Sequence, residues 1–174
     1  MAVGGKGGKG GTAEQVQVNS SAKIQTATNR SIGILAQSIG GGGGTGGYAM
    51  SGGTGVGKVS MTAAVGGDGG DGNTAGKVRI SSSGNVTTAG DKAYGVLGQS
   101  IGGGGGESGV TINALLNATS ETPSSGEGDP DVLMISVGGN GGKGAAADSV
   151  DTTNSGVITT SGERSVGLLS LIHI

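Results

Sequence analysis

The chain repeats itself, and the repeat narrows the folds open to it before any single residue is considered. Val3-Gly4-Gly5 returns as Val65-Gly66-Gly67 and again as Val137-Gly138-Gly139, spacings of 62 and 72 residues. The same spacings relate Val16, Val78 and Val150, then Ile24, Val86 and Ile158, then Ser31-Ile32-Gly33, Ala93-Tyr94-Gly95 and Ser165-Val166-Gly167. Gln37-Ser38-Ile39, followed by five glycines, returns as Gln99-Ser100-Ile101 followed by five more. The reading is a first repeat over 1–63, a second over 64–135 with an insertion near 107–135, a partial third over 136–169, and an atypical tail over 170–174. Each repeat runs in one order: a glycine-rich opening, a short β-type run, a turn with a second run, a third run, and a glycine block. The ten extra residues of the second repeat fall after its glycine block, and the segment Ser108 to Ile135 reads as a loop extending from a fixed scaffold.

The short runs point to strands. Val16 and Val18 alternate with Gln15 and Gln17, and Val78 and Ile80 alternate with Lys77 and Arg79, a period of two. Ile32, Leu35, Ala36 and Ile39 also fit a helical template. Gly95 and Gly98 in the second copy would cost a helix there roughly 2 kcal/mol against alanine, so this run is read as strand. The core must be thin: Val, Ile and Leu together make 34 of 174 residues, Phe and Trp are absent, and glycine supplies 44. One repeat cannot bury enough apolar surface to offset its chain entropy, whereas stacked units can share a continuous stripe. The stripe expected is Val16, Val18, Ile24, Ile32 and their repeat partners. With rungs of about 20 residues, within the range of solenoid repeats, each repeat would make about three rungs. The glycines would serve corners, by positive φ or by close backbone approach. The five-glycine blocks read equally as ordered corners or as flexible linkers. The fold expected is all-β, a parallel β-helix or β-solenoid of glycine-rich repeats, partly disordered if those blocks are linkers.

Other classes lose ground on composition. The formal net charge is −2, with no basic face concentrated enough for nucleic acid. No run of about 18 apolar residues suggests a membrane helix, and the N-terminus lacks the apolar stretch of a signal peptide. Cysteine is absent, which removes disulfides and thiolate metal sites.

The strings SIGILAQSIGGGGG at Ser31 to Gly44 and AYGVLGQSIGGGGG at Ala93 to Gly106 resemble the repeat of glycine-rich autotransporter passengers of Gram-negative bacteria. NSGVITTSGERSVGLL and SSGNVTTAGDKAYGVL share the likeness, which covers nearly the whole chain outside the insertion and the last residues. The resemblance implies a non-catalytic, surface-exposed β-solenoid exported through a C-terminal translocator barrel of the same full-length chain and anchored in the outer membrane through it. Neither barrel nor signal peptide is expected in these 174 residues, which therefore read as an internal fragment. The resemblance leaves the host or cell-surface ligand open and gives no reason for membrane insertion by this segment. After Val166-Gly167-Leu168-Leu169 the repeat calls for Gln-Ser-Ile and glycines, but the chain reads Ser170-Leu171-Ile172-His173-Ile174, which reads as an assembly or reading-frame artefact without a functional role.

Individual motifs carry little chemistry. Gly66 to Thr74, GGDGGDGNT, resembles the calcium nonapeptide of RTX β-rolls with Asp71 as a ligand. Lys9 and Lys143 stand at the equivalent positions of the other copies, and Asn73 fills the hydrophobic slot. Gly52 to Val59, GGTGVGKV, approaches a phosphate loop through Lys58, but Val59 replaces the magnesium-binding hydroxyl. His173 is the only histidine and has no nucleophile or acid assigned to it. Glu121, Glu127, Asp129 and Asp131 read as a solvated acidic loop, and the sequons at Asn19, Asn29, Asn85 and Asn117 follow from composition. No catalytic, metal or cofactor residue is expected. The rival readings are a disordered glycine-rich linker, a calcium-dependent β-roll and an unrecognised passenger hydrolase.

Overall fold

The computed structural model describes residues 1–55, 59–117 and 131–173. The fold is all-β, a parallel β-solenoid: 14 strands, with every strand pairing parallel and no helix among the described residues. Register corrects the expected rung size. Val16 pairs with Val78 and Val78 with Val150, and Ile24 pairs with Val86 and Val86 with Ile158. Strands join only to their equivalents 62 or 72 positions away. Each whole repeat is therefore one coil, not three rungs of about 20 residues. The reason lies in the sequence: only successive repeats offer matching side chains in register, while strands within one repeat differ in length and pattern and face one another across a core.

The chain forms two compact units, each fed by all three repeats. Unit 1 comprises Met1–Lys9, Gly43–Asp71 and Gly105–Lys143; unit 2 comprises Gly10–Gly42, Gly72–Gly104 and Gly144–Ile174.

Unit 2 holds three sheets, each three coils deep. The first contains β2 (Val16–Ser20), β7 (Val78–Ser82) and β12 (Val150–Asn154). The second contains β3 (Ile24–Thr26), β8 (Val86–Thr88) and β13 (Ile158–Thr160). The third contains β4 (Ile32–Ile39), β9 (Tyr94–Ile101) and β14 (Val166–His173). The run over Ile32–Ile39 is thus the expected strand. Ile34, Ala36, Val78, Ile80, Val86 and Val96 form the core, with Val16, Val18, Ile24, Val150 and Ile158 packed against it. The middle coil is the most enclosed: Val78, Val86 and Val96 have no exposed surface. Each contributes on the order of 1.5–3 kcal/mol by leaving water, and each depends on coils on both sides to do so.

Glycine acts here by absence of bulk. The third sheet's ladder skips Gly33, Gly95 and Gly167. A Cβ on Gly33 would stand 2.6 Å from Val86 Cγ1, and one on Gly95 would stand 2.6 Å from Ile158 Cγ2. The apolar-Gly-apolar signature is therefore where the second sheet presses its core residue onto the third. None of the described glycines carries a left-handed φ; the left-handed positions are Arg30, Lys92 and Arg164, at φ 59, 54 and 53°. The expectation of glycine at positive-φ corners is corrected accordingly. A side chain in that region costs about 1–2 kcal/mol, and a ladder fixes the residue before each one. Asp91 N–H donates to Asn29 Oδ1 at 3.0 Å, and Glu163 N–H donates to Asp91 Oδ1 at 2.9 Å.

A serine joins coils at the end of the third sheet. Ser38 Oγ donates to Glu14 O at 2.9 Å and accepts from Gly76 N–H at 2.8 Å. Ser100 Oγ repeats this, donating to Gly76 O at 3.0 Å and accepting from Asp148 N–H at 3.0 Å. The third coil has Ile172 at this position, in register with Ser100. The tail departs in sequence yet continues β14 as far as His173, whose carbonyl accepts from Gly102 N–H at 3.0 Å.

In unit 1, β1 (Ala2–Val3), β6 (Val59–Val65) and β11 (Asp131–Val137) form one sheet, and β5 (Ala49–Gly55) with β10 (Thr111–Asn117) form another. The insertion is corrected here. Its two flanks are strands β10 and β11, in register with β5 and β6, so the ten extra residues all fall between Asn117 and Asp131, opposite the stretch between Gly55 and Val59.

The glycine tracts of unit 1 are hydrogen-bonded, not linkers. Gly47 N–H donates to Gly5 O, and Gly44 N–H to Gly8 O, at 2.6 and 2.8 Å. Gly67 donates to Gly47 O and Gly70 to Gly44 O, at 3.0 and 2.8 Å; Gly109 donates to Gly67 O and Gly106 to Gly70 O, both at 2.8 Å. These bonds run antiparallel and recur every three residues, the period of a polyproline-II helix. Parallel bonds cross-link the same tracts between coils, as from Gly7 N–H to Asp68 O at 2.8 Å. The three-residue period explains the sequence GGKGGKGG. Gly4 and Gly7 have a neighbouring carbonyl where a Cβ would lie, Gly5 and Gly8 face open space, and Lys6 and Lys9 are exposed. Within unit 2 the shorter tracts follow the same rule, with Gly41 N–H on Gly11 O, Asn73 N–H on Gly41 O and Gly103 N–H on Asn73 O.

Candidate interaction surface

The two sheets of unit 1 are patterned inside out. Strand alternation sends successive side chains to opposite faces, and in β5 and β6 the buried set is small and mostly polar: Ala49, Ser51, Ser60, Thr62 and Ala64. Asn113 on β10 joins this set by register with Ser51; its Nδ2 donates to Ser136 Oγ at 2.9 Å and to Ile135 O at 2.6 Å. The large apolar side chains take the opposite positions. On β5 and β10, Met50 pairs with Ile112 and Thr54 with Leu116; Met50 is 72% and Leu116 75% exposed. On β6 and β11, Met61 pairs with Leu133, and Ile135 follows two positions on; Met61 is 67% exposed. Singly, exposed apolar residues need no explanation, but a row along a sheet face marks a contact surface. Sequence reasoning missed it by assigning every large apolar residue to the interior. The signal was the alternation of Met50 and Met61 with serine, threonine and glycine.

The residues singled out from the sequence are not gathered into a site. Asp71 Oδ1 accepts from Lys143 N–H at 2.9 Å, and Asp68 Oδ1 accepts from Asn140 N–H at 2.8 Å. The backbone bond from Lys143 holds the Asp71 carboxyl below its usual range, burial opposes it, and the charges of Lys9, Lys6 and Lys143 add to the lowering. The structure thus brings ammonium groups to Asp71 instead of the further oxygens a calcium ion takes. No group of three or more His, Cys, Asp or Glu placed to hold a metal occurs among the described residues. His173 is exposed on β14. Asn29 and Asn85 put their side-chain oxygens into the coil-to-coil ladder, the latter accepting from Val157 N–H at 3.0 Å, while Asn19 is exposed on β2. Lys58, Glu121, Glu127 and Asp129, with the side chains of Val59, Asn117 and Asp131, lie outside the described residues.

Two further polar features belong to unit 2. Lys77 Nζ meets Asp151 Oδ2 at 2.7 Å. That hydrogen bond depresses the Asp151 carboxyl, burial opposes it, and the Lys77 and Arg79 charges assist the lowering. A groove of about 280 Å³ is lined by Asn19, Ser20, Ser21, Ser81 and Ser83. It offers hydroxyls and amides without a titratable group to act on a substrate. No protein-family model matches the chain, and no curated protein or solved structure matches it.

Proposed function

We propose that this chain is a non-catalytic segment of an autotransporter passenger, displayed on the surface of a Gram-negative cell as part of a β-solenoid stalk, and that unit 1 supplies an adhesive face. The observation that carries the reading is the inverted patterning of unit 1. Small polar residues occupy the inside, where they need little room, and Met50, Ile112, Leu116, Met61 and Leu133 are left outside. A sheet that spends its large side chains on solvent gains nothing in stability; it gains where those side chains meet a partner. The repeats and their coil-by-coil register support the stalk, because a solenoid extends by adding identical units. In this reading the anchoring barrel belongs to the full-length chain, the ligand is a surface presenting apolar groups, and no cofactor is involved.

Location and adhesion are tested separately. Intact cells expressing the native locus are treated with protease and probed with antibody against unit 1. Cleavage and labelling without lysis are expected, and a protein protected until the envelope is broken would refute surface display. Adhesion is read as retention of purified chain on octyl-coated beads. Met50→Ser/Leu116→Ser is expected to reduce retention several-fold with an unchanged circular dichroism spectrum. Equal retention would remove the adhesive role.

A further inference from the structure

We propose that copies of this chain stack end to end through unit 2, the first-repeat strands of one copy adding to the third-repeat strands of the next. The inference does not rest on cell-surface location. Strands β2, β3 and β4 form one open edge of unit 2, and β12, β13 and β14 form the other. What fits each edge is already present inside the molecule. The β7 strand accepts β2 on one side and β12 on the other in a single register, Val16 and Val150 both meeting Val78. The edge of the third coil therefore repeats the edge of the second, and that of the first coil repeats the surface the second presents to it.

The backbone groups match in the same way. Val16 N–H donates to Lys77 O and Val78 N–H to Ser149 O; Ile24 N–H donates to Asn85 O and Val86 N–H to Val157 O. By the same ladder, Val150 and Ile158 turn their N–H groups to the open edge, where Gln15 O and Lys23 O of a second copy are the equivalent acceptors. The apolar groups agree. Val16, Ile24, Val150 and Ile158 are only partly buried, whereas their middle-coil counterparts Val78 and Val86 are wholly so. Exposed strand edges are ordinarily blunted by proline, charge or bulges. No proline occurs in β2, β3, β12 or β13, and Asp151, their one charged side chain, is paired with Lys77. Joining two different edges is a heterologous contact that does not close on itself, so the product is a filament.

Two measurements test this with the full chain. Asn19 and Thr153 both register on Ser81, with exposed side chains. Within one copy they stand two strand spacings apart, about 9.6 Å, beyond the reach of a disulfide; across stacked copies they are adjacent. The chain has no native cysteine, so mild oxidation of Asn19→Cys/Thr153→Cys is expected to give a ladder of disulfide-linked oligomers on a non-reducing gel. Gln17→Pro removes an N–H that alternation directs to the open edge. It is expected to raise the concentration needed for assembly at least tenfold in sedimentation velocity, at an unchanged circular dichroism spectrum. Monomers alone after oxidation, or a folded Gln17→Pro chain that assembles like the parent, would overturn the proposal.

Discussion

Replacing Gly70 with alanine separates a packed glycine bundle from a set of linkers. A Cβ on Gly70 would lie 1.9 Å from Gly8 O, 2.6 Å from Gly8 C and 2.9 Å from Gly7 O. All three contacts are with backbone, so no side chain can swing aside, and relief requires one tract to move by more than about 1 Å to reach an ordinary contact distance. Such a shift breaks the bonds from Gly70 N–H to Gly44 O and from Gly106 N–H to Gly70 O, now 2.8 Å each. Two lost bonds at about 1 kcal/mol each and overpacking of roughly 1–3 kcal/mol put the cost at about 3–5 kcal/mol. Gly8→Ala is the control: nothing lies within 4 Å of its Cβ, and a narrower unfolded ensemble makes the variant as stable as the parent or up to about 1 kcal/mol more so. Urea unfolding followed by far-UV circular dichroism measures both. Curves for Gly70→Ala and Gly8→Ala that agree within about 0.5 kcal/mol would refute the bundle, since a linker cannot tell the two glycines apart.

Three further outcomes are expected. Val86→Ala, at a side chain with no exposed surface, should cost about 2–3 kcal/mol by lost transfer energy and cavity formation, and Val16→Ala on the open edge clearly less, by the same urea assay. Ser100→Ala leaves Gly76 O and Asp148 N–H without their shared partner and should cost about 1–3 kcal/mol, again by urea unfolding. The Asp71 and Asp151 carboxyls titrate below their model value of 3.8 when folded, so the unfolded chain binds protons first as pH falls. Their stabilisation is present above that value and is lost as pH drops through the folded values; Asp71→Asn/Asp151→Asn should flatten the fall of Tm between about pH 4 and pH 2, and a parallel fall in both proteins would remove this attribution.

Much of the scaffold was readable because it is written in the repeat. Equivalent Val and Ile residues do stack, and a period of two did mark β2 and β7. What failed was scale. A 20-residue rung is reasonable for solenoids in general, but nothing in a single repeat says whether its strands pair with one another or with their counterparts 62 residues on. The glycine tracts were ambiguous for a related reason: a linker and a threefold helix share a composition, and only the spacing of Lys6 and Lys9 between glycine pairs separates them. The left-handed positions fell on Arg30, Lys92 and Arg164 because a side-chain ladder from the preceding residue holds them, and no local turn signal encodes a partner so far along the chain. The exposed rows on β5, β6, β10 and β11 were hidden by the habit of placing methionine and leucine inside.

The one-repeat coil also sets how this chain must reach its structure. In both units every strand-to-strand hydrogen bond joins residues 61 to 72 positions apart, so nearly all the rewards of folding lie beyond a long and entropically unfavourable search. No isolated hairpin or helix is available as a seed. The slow event is the closure of the first coil on the second; later coils find a formed edge and add to it quickly. Refolding from urea should accordingly begin with a lag, and adding preformed protein with an open edge should shorten it.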